Sequence, residues 1–136
     1  MKLIVCIDDR RGMSFGGRRQ SRDRRVIEDI LRDLGDGVLY ISPYSKSLFE
    51  DLGVTPEVAA DPIAAARGHG NATVFLEACP APRETEGIES IVLYLWGRTY
   101  PADRYFDTDL SAYRLRSRAS FVGNSHEKIV KETYVR

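Results

Sequence analysis

Short apolar runs alternate with helix signals along this chain, and that alternation limits the fold more than any other feature. Leu3–Ile7 is an apolar run bounded by charge and reads as a buried strand. Val26, Ile27, Ile30, Leu31 and Leu34 then recur at helical spacing, with Glu28, Asp29, Arg32 and Asp33 on the other face. Ser21 or Asp23 is placed to cap this helix, and Gly35 to end it. Arg24 and Glu28, and Glu28 and Arg32, are spaced to pair along it. Val38–Ile41 is the second strand. Ser42–Pro43 is a cap followed by proline, predicting a short helix to about Leu52 that Gly53 stops. Glu57–Ala60 reads as a weak third strand, and Asp61–Pro62 repeats the cap-proline signal before one or two turns over Ile63–Arg67.

Ala72–Ala78 is the fourth strand, and Pro80, Pro82 and Gly87 mark an exposed turn. The run inside Ile88–Trp96 predicts a central strand covered on both faces. Tyr113–Arg118 and Lys128–Val135 alternate apolar and polar residues with no helix between them. This order predicts an α/β fold in one domain over residues 1–136: a central mixed sheet, mostly parallel, with antiparallel C-terminal strands and flanking helices. Ligands in such sheets sit outside the carboxyl ends of parallel strands.

The first of those ends opens into Asp8–Arg25, which holds seven arginines, three aspartates and three glycines. Three readings compete for it. Arginine forks and exposed backbone N–H groups suit a phosphate, and the helix start adds a favourable dipole. Binding of nucleic acid is the second reading, with Phe15 the one interleaved aromatic. The third is a solvated loop whose arginines pair with Asp8, Asp9, Asp23, Glu28 and Asp29. Asp8 and Asp9 lie where carboxylates bind metal or act as bases, and pairing with neighbouring arginines is the plainer account.

Over the whole chain Lys+Arg and Asp+Glu both total 20, which argues against a dedicated nucleic-acid or membrane-surface protein. No apolar run approaches the ~18 residues of a membrane span. Cys6 sits in an apolar run and Cys79 precedes Pro80. Two such cysteines, with no secretory leader, point to a reducing cytoplasm. Ser125-His126-Glu127 suggests a triad, but adjacent residues point apart, so His126 is expected in a turn or at the surface. His69, between two glycines, reads as loop. No Cys/His spacing suggests zinc, so no metal is expected. Tyr94 and Trp96 share a strand face, as core or as a stacking platform for a base or pterin.

Two stretches resemble the dihydrofolate reductase family. Leu3–Asp23 looks like its first strand and following loop, with Gly12–Met13 where the family has Gly-Ile-Gly or similar. Ile91–Leu115, with Tyr100-Pro101-Ala102-Asp103-Arg104-Tyr105-Phe106, looks like its strand and Gly-Asp-Thr-x-Phe loop. The resemblance implies that fold and puts the family's active-site carboxylate near Asp23. The family's Leu-Pro-Trp is replaced by arginines around Arg18–Gln20. Ser42-Pro43-Tyr44-Ser45 stands where the family grips the cofactor phosphate with Gly-Arg-x-Thr, keeping one hydroxyl, Ser45. The Gly-Gly dipeptide has no counterpart in Ala72–Pro80. A nearer likeness is to short bacterial proteins named ribonuclease Z, carried by Arg18–Arg24, Tyr100–Asp103 and Ser125–Ile129. Two histidines cannot supply a two-zinc hydrolase centre.

The expectation is a divergent dihydrofolate reductase-like protein that binds a phosphate-bearing ligand, a nucleotide or short nucleic acid. Arg18, Arg19, Arg22, Ser45 and Asp8 are the expected binding residues, and Asp23 is the expected catalytic group. No resident cofactor is expected. One alternative is a reductase using NADPH with Asp23 as proton relay. The other is an interaction module whose arginines meet an acidic partner.

Overall fold

A computed structural model describes residues Met1–Arg136. The seven-stranded sheet is built on β1 (Lys2–Ile7), whose five residues from Leu3 onward are all buried. Such a strand has an apolar neighbour on both faces, which is why its sequence is a continuous apolar run. Leu3, Val5 and Ile7 enter one core cluster and Ile4 and Cys6 the other. The small sheet that follows contains β2 (Gly12–Phe15) and β3 (Arg18–Arg19). Helix α1 (Arg24–Leu34) buries Val26, Ile27 and Ile30, the stripe its spacing predicted. Asp23 caps it by accepting from the Arg25 N–H, and Gly35 ends it with a positive φ.

Then come β4 (Val38–Ile41), a 3₁₀ turn over Pro43–Phe49, β5 (Glu57–Val58) and α2 (Pro62–Ala66), capped by Asp61. The strands β6 (Ala72–Leu76), β7 (Ser90–Leu95), β8 (Arg104–Tyr105), β9 (Arg114–Phe121) and β10 (Ile129–Val135) complete the chain. The large sheet runs β5-β4-β6-β1-β7-β10-β9. Its first five strands are parallel, and β10 and β9 are antiparallel. No helix is long and apolar enough to cross a membrane.

Four local expectations change. Asp8–Arg25 is not one open loop. Gly16 and Gly17, with φ of +59° and +73°, form the two-residue turn that joins β2 to β3. Both turn positions of this hairpin type need positive φ, which glycine tolerates. β8 pairs with β2, so residues 104–105 clamp the hairpin from 90 residues away. The second helix is a 3₁₀ turn ending at Phe49, and the Ser42 side chain makes no capping bond. On α1, Arg32 pairs with Asp29 rather than Glu28, and Arg24 reaches Asn124. No loop arginine pairs with Asp8, Asp9, Asp23, Glu28 or Asp29; Arg19 pairs with Glu77 instead.

Candidate functional site

The parallel strands deliver their carboxyl ends to one edge. Asp8 follows β1, Ser42 follows β4, Glu77 follows β6 and Trp96 follows β7. Because β10 is antiparallel, its start lies at that edge too, and the turn before it brings in His126. A hydroxyl, an imidazole, two carboxylates and several arginines therefore meet beside the start of α1.

Asp8 holds the loop in shape. Its buried carboxylate accepts from the backbone N–H groups of Arg10 (2.8 Å), Gly12 (2.7 Å) and Tyr100 (3.1 Å) and from Gln20 Nε2 (2.9 Å). Burial pushes its pKa up, but these donors outweigh burial and hold it below the usual carboxylate range. Gly12 is required at this close approach, since a Cβ there would lie 2.8 Å from Asp8 Oδ2.

Arg19 turns inward. It forks onto Glu77 at 2.8 and 3.0 Å, with its guanidinium 4.5 Å from the Tyr44 ring centre. Ser45, fully buried, donates to the same carboxylate at 2.6 Å. Arg19 and Ser45 are thus both engaged by Glu77. Arg18 lies exposed at the hairpin and lines neither cavity described below. Arg22 lines both.

Asp23 is 3% exposed. Its carboxylate accepts from the N–H groups of Arg25, Asn124 and Ser125, each at 2.9 Å, and lies 2.9 Å from His126 Nδ1. Burial raises its pKa, and the Asn124 N–H, His126 and the other two N–H groups more than reverse that, leaving it well below the usual range. Such a carboxylate is ionised near neutral pH and is a poor proton donor. It accepts only, so Nδ1 of His126 carries the proton and Nε2 is left as acceptor.

His126 is buried, not at the surface as expected. Its ring stacks on Trp96, with centroids 4.7 Å apart and planes inclined by 23°. Nε2 lies 3.0 Å from Ser21 Oγ and 3.1 Å from the Tyr100 hydroxyl. Triad-like geometry therefore exists, but its members are Ser21, His126 and Asp23 rather than neighbours in sequence. Gly123 makes room for it: a Cβ there would sit 2.5 Å from Asp23 Oδ2. The signal in the sequence was the Gly123–His126 turn, whose partner is 103 residues away. Tyr94, the other expected platform residue, is fully buried and donates to Asp29 at 2.7 Å.

Two adjoining spaces open here. A narrow one of about 20 Å³, little more than one water molecule, has a largely apolar lining that includes Cys6, Met13, Phe75 and Trp96, with Ser21 and Arg22 at its polar side. The other is an open groove of about 470 Å³ between the start of α1, the 3₁₀ turn and the Asn124–Ser125 turn. Arg22, Asp23, Ile27 and Leu48 line both. No group of three or more His, Cys, Asp or Glu side chains is arranged to hold a metal.

Comparison with known proteins bears on the fold. Among solved structures the chain is similar to dihydrofolate reductase from Enterococcus faecalis, determined in complex with NADP(H) and RAB-propyl. The TM-score is 0.68 at 14% identity, over 99% of this chain and 95% of that one. The chain has a dihydrofolate reductase-like fold. No protein-family model and no curated protein matches it.

Proposed function

We propose that the open groove beside the start of α1 binds a phosphate-bearing ligand, a nucleotide or short nucleic acid. One observation carries this reading. Arg22 and Arg24 both line the groove, and neither is in an ion pair. Arg24 makes one 3.3 Å hydrogen bond, to the neutral Asn124 side chain. Both flank the positive end of an 11-residue helix, whose first N–H groups have no intrahelical acceptor. Ser47, Asn124 and Ser125 add neutral hydrogen-bonding groups, and Glu50 is the acidic residue on the rim besides buried Asp23. Of the five binding residues expected from sequence, Arg22 stays central. Arg19, Ser45 and Asp8 serve it by holding the loops, and Arg18 is free for a longer polyanion. We further place the protein in the cytoplasm and read it as one domain; its two cysteines are unpaired.

Calorimetric titration with a nucleoside diphosphate and with a short single-stranded oligonucleotide tests this. Replacing both arginines, Arg22→Ala with Arg24→Ala, should weaken binding at least tenfold and flatten its salt dependence by about one unit of slope per lost phosphate contact. Unchanged affinity in the double variant would refute the reading.

A further inference from the structure

The Ser21–His126–Asp23 chain has no part in anion binding and calls for its own account. We propose that Ser21 is a nucleophile activated by His126 and oriented through Asp23, and that it hydrolyses carboxylic esters with a short acyl group. The inference stands apart from the phosphate reading and does not depend on it.

Geometry supports each role. Ser21 Oγ is 3.0 Å from His126 Nε2, within reach for proton transfer. His126 Nδ1 is 2.9 Å from Asp23, which fixes the tautomer that leaves Nε2 free to take a proton. Trp96 stacks on the imidazole and fixes its plane. The Asp23 end is sealed by backbone donors, whereas the Ser21 end opens on the narrow cavity. A space of about 20 Å³ with apolar walls admits an acetyl-sized group. The adjoining groove leaves room for a larger alcohol portion.

The reaction balances without a cofactor. Ser21 Oγ forms a bond to the ester carbonyl carbon as its proton passes to Nε2, and the carbonyl electron pair moves to oxygen. The Arg22 N–H, next in sequence to the nucleophile and without a protein acceptor, is available to that oxyanion. Collapse breaks the bond to the alcohol, which takes the proton from Nε2. Water then attacks the acyl-serine, its proton goes to Nε2 and on to the departing Ser21 oxygen, and the acid is released.

Tyr100 enters as a brake. Its hydroxyl lies 3.1 Å from the same Nε2, which has one lone pair, so Tyr100 and Ser21 compete for it. Tyr100→Phe should therefore raise Ser21 reactivity severalfold.

Labelling with a fluorophosphonate, followed by peptide mass mapping, tests the proposal, alongside turnover of p-nitrophenyl acetate. The expected result is one adduct, on Ser21. Ser21→Ala should abolish both labelling and turnover while the melting temperature stays within a few degrees. His126→Gln should cut labelling at least a hundredfold. Because His126 is buried and its replacement can unfold the chain, the Ser21→Ala and Tyr100→Phe pair decides the matter in a folded protein. The proposal is overturned by wild-type protein unlabelled under conditions that modify a control serine esterase. It is equally overturned by an adduct elsewhere, by turnover that survives Ser21→Ala, or by a Tyr100→Phe rate no higher than wild type.

Discussion

Replacing Asp23 by Asn isolates the group that ties the two ends of the site together. The amide keeps the shape but turns one acceptor oxygen into a donor. In wild type, Oδ1 accepts from the Arg25 and Asn124 N–H groups, and Oδ2 faces the Ser125 N–H and His126. Whichever way the amide turns, one pair of buried donors faces an NH₂ group. Two buried donors without acceptors cost about 1–3 kcal/mol each, less where His126 changes tautomer, so about 3 kcal/mol is expected. For 136 residues, with unfolding entropy of about 2.1 cal/mol/K per residue, that is a fall of about 10 °C in Tm. The pH dependence carries the sign. Asp23 has a depressed pKa when folded, so its stabilisation is present above the unfolded value and is lost as pH falls. Below the unfolded value of about 3.9, wild type loses about 1.4 kcal/mol per pH unit from this one group, while the amide variant does not. Urea unfolding of both proteins at pH 7 and pH 3 should show the gap shrinking by about 1.2 kcal/mol. Asp8 and Asp29 titrate alike in both proteins and cancel. A gap at pH 7 below about 1 kcal/mol, or one that does not narrow at pH 3, would refute the assignment of Asp23 as a buried, ionised anchor.

Three other outcomes follow from the same geometry. Arg19→Ala leaves Glu77 buried with Ser45 as its remaining partner, so denaturant unfolding should show a loss of about 3 kcal/mol. Adding Glu77→Gln to that variant should recover at least about 1 kcal/mol, because the unpaired charge is then gone. Gly123→Ala drives a Cβ against Asp23 Oδ2, so it should cost about 1–3 kcal/mol and shift the emission of Trp96, the single tryptophan, by moving His126 off its ring.

The sheet was legible because strands buried on both faces must be apolar throughout, and β1 and β7 have that run. Helix α1 was legible because Val26, Ile27 and Ile30 recur on one face and all three are buried. Asp23 was legible from its place before the helix, but its partner was not. The β9–β10 turn delivers His126 across 103 residues, and no local pattern records that closure. Glu77 was hidden for a related reason: it ends an apolar strand, and only the fold reveals the arginine folded over it. The Arg-rich stretch was misleading as composition. Its charge drew attention from Gly16–Gly17, the pair that turns it into a hairpin. Seven arginines also suggested one cluster, whereas Arg19 turns inward, Arg18 points away and Arg22 alone lines both spaces.

Amide NMR during titration with inorganic pyrophosphate tests the central claim, anion binding at the start of α1, most directly. The account predicts saturable shifts concentrated on Arg22, Arg24, Arg25, Asn124 and Ser125, lost in the double variant Arg22→Ala with Arg24→Ala. Shifts spread evenly over exposed arginines such as Arg114 and Arg116, or none in the Arg22–Arg25 segment, would contradict it.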